Sequence, residues 1–324
     1  MMNSDSTPHA SAHGEANQAG SFHTYPKPPA SFIQQVGHMA RRGLTIPNVN
    51  AAAAWLSDVN YYRASGYWLT LLQPDGTFSH DSSFDTVRSI YAFDSELRMW
   101  LWSAIAPIEI KARTSFAYHL SVSTGSAMSY EDKRYFKDAH LHSKSLDIIR
   151  KERDRAYGEG VPCVVHNMDE YGMLPIWAAV EIMSMGTVSK MYGNLSDAAT
   201  YPDGKRVRDA IAKDFSMSHI YLESWLRHLT YIRNLCAHHR RVYNRTITTR
   251  PKLLRADKKL LTHDSARNRL FASVTVIMRI YLSVWRDDWP RLANNLISLT
   301  ETYPDVDLAP IGFPREWRSI IETN

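Results

Sequence analysis

The sequence contains little cysteine and no long apolar run. Only Cys163 and Cys236 occur among its 324 residues, which is too few for a disulfide framework. Residues 100–110 come closest to an apolar run, but Ser, Pro and Glu interrupt them, whereas a membrane span needs about 18 uninterrupted apolar residues. No basic segment followed by an apolar one opens the chain. We therefore expect a cytoplasmic protein with no membrane partner.

A strong charge of one sign is also missing. The 38 Lys and Arg residues exceed the 33 Asp and Glu residues, which gives a net charge of +5. Such an excess permits a polyanionic partner without requiring one. Hydrophobic residues make up 44% of the chain and charged residues 22%, values that exclude a wholly disordered or fibrous protein. The local distribution of charge is therefore more informative than its total.

No segment alternates apolar and polar residues for long enough to predict a β-strand, and the apolar residues follow helical spacing instead. Apolar residues recur at intervals of three and four, with the longest such segment from Phe84 to Leu120. Pro107 is predicted to kink this segment or to divide it into two helices. Residues 1–30, rich in Ser, His, Ala, Gly and Pro, are predicted to form a disordered tail. We expect residues 31–324 to form a single all-α domain.

Residues 218–245 carry the side chains of greatest chemical interest. Ser218 is predicted to cap a helix that runs to about Tyr243, because apolar residues at three- and four-residue spacing form one stripe along this segment. The residues with catalytic potential lie off that stripe. They are Arg233, Asn234, His238 and His239.

The spacing of these residues predicts an incomplete site on one chain. Asn234 and His238 are four positions apart and share a helix face. Arg233 and His238 are five apart and diverge by about 140° on a regular helix, unless the helix ends or bends there. A twofold axis could complete the site from two copies, so we predict a homodimer. Its apolar interface is expected on the helix that bears Trp225 or on exposed parts of residues 84–120.

An arginine followed by a histidine four to six residues later is weak evidence by itself. Such pairs occur four times in the chain, close to the roughly three that random placement predicts. They are Arg113–His119, Arg134–His140, Arg233–His238 and Arg233–His239. The wider sequence context has to decide among them.

That context resembles a known family. Residues 233–239, Arg-Asn-Leu-Cys-Ala-His-His, strongly resemble the RN-x-x-A-H-H signature of the HEPN superfamily, specifically the Abi-like (AbiD/AbiF) abortive-infection proteins of bacteria. Further blocks resemble the same family in the same order. They are residues 60–68 (NYYRASGYW), 91–98 (YAFDSELR), 108–114 (IEIKART) and 175–186, which carry the pattern P-x-W…E-x-x-S-x-G.

The resemblance implies a HEPN-type helical bundle with additional helices and, as in many members, a metal-independent endoribonuclease. RNA supplies its own nucleophile, the 2′-OH, so the protein has only to orient the attack, move protons and stabilise charge. His238, assisted by His239, would transfer protons at neutral pH, and Arg233 would bind phosphate oxygens. Asn234 would hold a His ring or a phosphate oxygen. The expected products are a 2′,3′-cyclic phosphate and a 5′-hydroxyl.

Other charged residues allow a structural interpretation as well as a functional one. Glu109 and Arg113, four apart, are expected either to brace the bundle as an ion pair or, with His119, to support the site. A basic run after the site is either a solvated face or a surface for the RNA backbone. Its residues are Arg240, Arg241, Arg245, Arg250, Lys252, Arg255, Lys258 and Lys259, against the single acid Asp257.

No metal ion and no cofactor is expected. His140, His142, Cys163 and His166 are the nearest approach to a ligand cluster, and their spacing matches no common zinc pattern. The leading hypothesis is an antiphage or toxin-type endoribonuclease. The alternatives are a non-catalytic HEPN module that binds RNA or a partner protein, and a regulator controlled by a cognate small RNA, as in a toxin–antitoxin pair.

Overall fold

A computed structural model describes residues 28–261 and 266–322, so the predicted tail lies almost wholly outside the described residues. Fourteen α-helices occur in these two ranges. The first seven are α1 (Phe32–Arg41), α2 (Val49–Val59), α3 (Tyr61–Ser65), α4 (Phe84–Thr124), α5 (Ala139–Gly158), α6 (Pro162–Tyr171) and α7 (Ile176–Ile182). The others are α8 (Met185–Gly193), α9 (Val207–Asp214), α10 (His219–Ala237), α11 (Arg255–Leu260), α12 (Phe271–Val284), α13 (Trp289–Thr302) and α14 (Trp317–Glu322).

The all-α prediction is confirmed, because the two described ranges contain isolated β-bridges and no strand. One cluster of buried apolar side chains extends from Val36 to Ile321. None of the helices in these ranges combines the length and the apolar character needed to cross a lipid bilayer.

Helix α4 is the axis of the bundle. It has 41 residues and so measures about 60 Å, and α7, α8, α9, α10, α12 and α13 all pack on it. Ser83 caps its start by accepting a hydrogen bond from the amide of Thr86, and Gly125 ends it in the left-handed conformation. The prediction that Pro107 divides this segment is wrong, since one helix runs through it.

Contacts with neighbouring helices explain why the helix tolerates Pro107. Proline lacks the amide hydrogen that would bond to the carbonyl four residues earlier, which weakens an isolated helix. Here neighbouring helices hold the turns just before Pro107 in place. Trp100 Nε1 donates to the carbonyl of Leu292 in α13 at 3.0 Å, and the Tyr281 hydroxyl of α12 donates to the carbonyl of Ala104 at 3.0 Å. Tertiary packing thus outweighs the local preference.

Helix α10 begins as the sequence predicts, with Ser218 as its N-cap. The prediction that it runs to about Tyr243 is wrong, because the helix ends at Ala237. His239 adopts a left-handed backbone with φ 50°. The amide of His239 then bonds to the carbonyl of Cys236 at 3.0 Å and that of Arg240 to Leu235 at 2.8 Å. This pair of bonds is the Schellman termination, in which glycine is the usual left-handed residue.

The chain leaving α10 is held by the buried carboxylate of Asp94 in α4. Its Oδ1 accepts the backbone amides of Val242 at 2.9 Å and Tyr243 at 2.6 Å. Its Oδ2 accepts the hydroxyl of Tyr67 at 2.8 Å and pairs with Arg98. The Asp94 side chain is 0% exposed, so these contacts replace all of its hydration.

Burial raises the pKa of the Asp94 carboxyl, and the charge of Arg98 and the donated hydrogen bonds oppose that rise. The carboxylate connects two of the sequence blocks, those that contain Tyr67 and Asp94 itself, with the segment that follows His239. These blocks are far apart in the chain and adjacent in the fold.

Replacing this carboxylate tests its structural role. We expect Asp94→Asn to lower the free energy of unfolding by about 3–5 kcal/mol, because the buried charge of Arg98 loses its partner. Urea denaturation followed by circular dichroism measures the change. Asp85→Asn is the matched control, since Asp85 lies exposed in the first turn of the same helix and pairs loosely with Arg88. A loss no greater than that of the control would refute the role.

Candidate functional site

Arg233, in the last turns of α10, is held by two residues of α4. Its Nε lies 3.2 Å from Oε2 of Glu109, and its guanidinium carbon lies 5.0 Å from the ring centre of Trp102. The Arg233 side chain is 26% exposed, so part of the guanidinium faces solvent. A carboxylate on one edge and an aromatic ring on one face fix the orientation of the group.

Glu109 also binds Arg113, and the spacing of these two residues on α4 predicts that pairing. Arg113 Nη2 lies 2.5 Å from Oε1 of Glu109, while the other oxygen faces Arg233. One largely buried carboxylate thus serves two guanidinium groups, and the cluster retains a net positive charge.

Arg113 and Arg233 line a cleft of about 480 Å³. Helix α5, the end of α7 and the start of α8 supply its other walls, including Glu152, Glu181 and Ser184. Glu181 and Ser184 belong to the sequence block at residues 175–186, which therefore borders the arginine pair.

Because Gly186 has no side chain, α8, which forms one wall of the cleft, packs closely against α10. A Cβ at this position would lie 3.4 Å from the methyl group of Thr230, at the limit of comfortable contact. A larger side chain would push α8 away from α10 and widen the cleft.

Asn234, His238 and His239 are exposed at the end of α10. Asn234 Oδ1 lies 3.5 Å from Arg233 Nη1, at the limit of a hydrogen bond. The imidazole of His238 makes no hydrogen bond within the described ranges, although its backbone amide caps the helix. No contact there joins the side chains of Arg233 and His238, so one chain presents the two groups separately.

His119 lies outside this cluster. Its Nδ1 lies 2.6 Å from the hydroxyl of Tyr201 and its Nε2 lies 2.9 Å from Oδ2 of Asp214. Ten residues separate it from Glu109 on α4, a distance of about 15 Å along the helix. Of the three supporting residues named from the sequence, the structure brings Glu109 and Arg113 to Arg233, and it places His119 against the end of α9.

The basic run after α10 divides into two parts. Arg240, Arg241 and Arg245 lie beside residues 60–69, around a cavity of about 640 Å³. The second part lies along residues 250–259 and is exposed. The one acid in this stretch, Asp257, is buried and pairs with Arg279 at 2.9 Å. The basic members of the second part are Arg250, Lys252, Arg255, Lys258 and Lys259. This second part therefore presents positive charge to solvent.

Two buried side chains of α10 attach the second part to the core. Trp225 Nε1 donates to the carbonyl of Lys252 at 2.6 Å, and His228 Nδ1 contacts that of Thr249 at 2.5 Å. Complete burial lowers the pKa of His228 to about 4, so this imidazole is neutral near pH 7. We assign His228 a structural role on that basis.

Sequence reasoning missed Trp102, which stacks on Arg233, and Arg63, which borders the larger cavity. The signal for Arg63 was its position in the block at residues 60–68. Trp102 lies outside every quoted block, and no sequence pattern indicated its partner.

The residues considered as a metal cluster have other contacts. His142 is buried, stacks on Phe136 and lies 2.9 Å from the carbonyl of Tyr130 through Nε2. Within residues 28–261 and 266–322, no group of three or more His, Cys, Asp or Glu side chains is arranged to hold a metal ion.

Comparison with known proteins confirms the resemblance found in the sequence. The model of the Abi-like protein family matches residues 54–244, a range that includes Asp94, Glu109, Arg233 and His238. Neither the curated proteins nor the solved structures compared with the chain gave a match. Because the family model covers more than half of its length, the chain belongs to the Abi-like protein family, which takes its name from abortive infection, a defence of bacteria against phage.

Proposed function

We propose that this protein is a metal-independent endoribonuclease of the HEPN type that acts in abortive infection. The observation that carries the proposal is the fixed position of Arg233, which Glu109 and Trp102 orient while part of its guanidinium faces solvent. His238 follows five positions later, just past the end of α10, and is exposed to solvent. An oriented guanidinium and an open imidazole are the groups that transesterification of RNA requires.

The proposed reaction needs two proton transfers. A neutral His238 accepts the proton of the 2′-OH while that oxygen forms a bond to phosphorus. The bond from phosphorus to the 5′-oxygen breaks, and a protonated His238 from a second copy donates a proton to the leaving oxygen. Arg233 offsets the charge that develops on the phosphoryl oxygens. The products are a 2′,3′-cyclic phosphate and a 5′-hydroxyl.

This activity fits the defence for which the family is named. Cutting RNA in an infected cell stops protein synthesis, on which phage replication depends. The exposed basic residues along 250–259 support the same proposal, because exposed lysine and arginine bind the RNA backbone without sequence preference.

The catalytic assignment predicts a loss of activity without a loss of stability. We expect Arg233→Ala and His238→Ala each to lower the rate of RNA cleavage by about 100-fold or more. Both side chains lie off the apolar stripe, so the melting temperature should stay close to that of the wild type. Arg227→Ala is the matched control, because Arg227 is an exposed arginine of the same helix. Full activity in either site variant would refute the assignment.

The chemistry predicts its own products. Cleavage should continue in excess EDTA, and mass spectrometry of the fragments should find a 2′,3′-cyclic phosphate. Activity that disappears on chelation and returns with a divalent ion would assign the protein to the metal-dependent nucleases instead. Binding of RNA without cleavage under any condition would favour the non-catalytic module.

We also propose that the active form is a homodimer. Of the two surfaces expected to form the interface, the Trp225 side chain is buried, with 2% exposure. Helix α4 instead exposes Met99 (70%), Trp102 (43%) and Ile110 (62%). Apolar side chains of this size on one helix are typical of a protein interface. Because Trp102 stacks on Arg233, an interface on this face would bring two copies of the site together.

The dimer proposal predicts that an inactive variant suppresses the activity of the wild-type protein when the two are mixed. An excess of the Arg233→Ala/His238→Ala double variant should lower the activity of wild-type protein through mixed dimers, after time for subunit exchange. An equal mass of an unrelated protein is the control and should leave the activity unchanged. A monomer in sedimentation velocity at concentrations where the protein cleaves RNA fully would contradict the proposal.

A further inference from the structure

The largest cavity described above lies beside the candidate site. Its volume is about 640 Å³, it opens to solvent, and it is lined by α3, the residues that follow α3, and the segment that leaves α10. The cavity thus joins the sequence block at residues 60–68 to the end of the RN-x-x-A-H-H block. Its basic lining residues are Arg63, Arg240, Arg241 and Arg245, and no Asp or Glu lines it.

Backbone carbonyls hold three of these arginines in place. Arg63 donates to the carbonyl of His239, Arg241 Nη1 donates to that of Tyr243 at 2.6 Å, and Arg245 Nε donates to that of Arg241 at 2.6 Å. None of the four lining arginines forms an ion pair with a carboxylate in the described ranges. Their remaining N–H groups are available to an anion.

Placing these charges together has an electrostatic cost. Burial lowers the pKa of Arg241, and the positive charges of Arg245 and Arg269 lower it further. The charge of Asp94 acts in the opposite direction, but Arg98 already pairs with that carboxylate. A bound anion would offset the repulsion among the arginines.

Gly66 is required for this arrangement. A Cβ at this position would lie 2.9 Å from Nε and 3.2 Å from Cδ of Arg241. The backbone of Gly66 has φ −65° and ψ −24°, which any residue can adopt, so the need for glycine comes from space rather than conformation. The cavity is therefore built around the position of the Arg241 side chain.

Tyr62 adds an aromatic surface to the rim. It is 87% exposed, which is unusual for so large an apolar ring. A phosphate at the arginines and a base against Tyr62 would together account for the cavity and its rim.

We propose that this cavity binds a phosphate group of a nucleotide, with Arg63 and Arg241 on the phosphate and Tyr62 beside the base. The phosphate belongs either to the backbone of the RNA substrate or to a free nucleotide. The connection to RNA cleavage rests on the proposed function, because Arg240 and the carbonyl of His239 place the cavity next to His238. The binding of phosphate does not depend on that function.

Binding to an uncleavable probe tests the proposal. A fluorescent single-stranded 10-mer with 2′-O-methyl riboses cannot undergo attack by its own 2′-oxygen, so fluorescence anisotropy with the full chain reports binding alone. We expect Arg63→Gln to weaken binding about tenfold and to lower the slope of log K against log salt by about 1. Arg88→Gln removes one exposed arginine outside the cavity and should change the affinity less than twofold.

Gly66→Ala distinguishes a site that depends on the position of Arg241 from a surface that attracts RNA only through its general positive charge. It leaves the net charge unchanged and displaces Arg241, so we expect a similar tenfold weakening. Gly158→Ala, where nothing lies within 4 Å of the added Cβ, is its control. Circular dichroism melting checks that each variant is folded. Normal binding by folded Gly66→Ala, or equal losses in Arg63→Gln and Arg88→Gln, would overturn the proposal.

Competition distinguishes the two sources of phosphate. Displacement of the probe by unlabelled RNA but not by millimolar ADP identifies a backbone phosphate, and displacement by ADP identifies a free nucleotide. Either result supports the cavity as a phosphate site, provided that Gly66→Ala weakens it. A protein that binds the probe through the cavity yet never cuts unmodified RNA would refute the proposed function and leave this inference intact.

Discussion

The buried carboxylate of Asp94 is the contact on which the candidate site depends. It accepts backbone amides from the chain just beyond α10 and the hydroxyl of Tyr67, and it pairs with Arg98. These bonds fix where the chain goes after His239, and hence where Arg240 and Arg241 lie. Two of the sequence blocks, at residues 60–68 and 91–98, are therefore joined with the segment beyond the RN-x-x-A-H-H block by one buried side chain.

Local patterns in the sequence predicted the helices well and their ends less well. The apolar stripe and Ser218 correctly located the start of α10. Its end depends on the left-handed backbone of His239, a conformation that histidine adopts rarely and that no pattern indicated. The prediction of a division at Pro107 was wrong for a related reason, because the cost of proline is local while the packing that outweighs it involves α12 and α13.

The sequence predicted which residues belong to the candidate site but not all of the contacts among them. The signature at residues 233–239 identified Arg233 and His238, and the four-residue spacing of Glu109 and Arg113 identified their ion pair. The contact of Glu109 with Arg233 joins residues 124 positions apart, so helical periodicity carried no information about it. The same holds for Arg63, whose partner His239 is 176 positions away.

The chain uses arginine in two different ways. Arg233 and Arg113 share the carboxylate of Glu109, so their charge is partly compensated and their orientation is fixed. Three of the four arginines around the larger cavity bond to backbone carbonyls instead, and none of the four pairs with a carboxylate in the described ranges. The first arrangement suits the positioning of one group against a reacting atom, and the second suits the attraction of an anion.

The long separations within the polar network also determine when the site forms. Asp94 reaches residues 148 and 149 positions further along the chain, and closing loops of that size is slow compared with forming helices. A nascent chain on the ribosome has α4 long before it has α10, and it lacks the arginine cluster until Tyr243 has emerged. An incomplete chain therefore carries neither the contact of Arg233 with Glu109 nor the cavity, and both form late in synthesis.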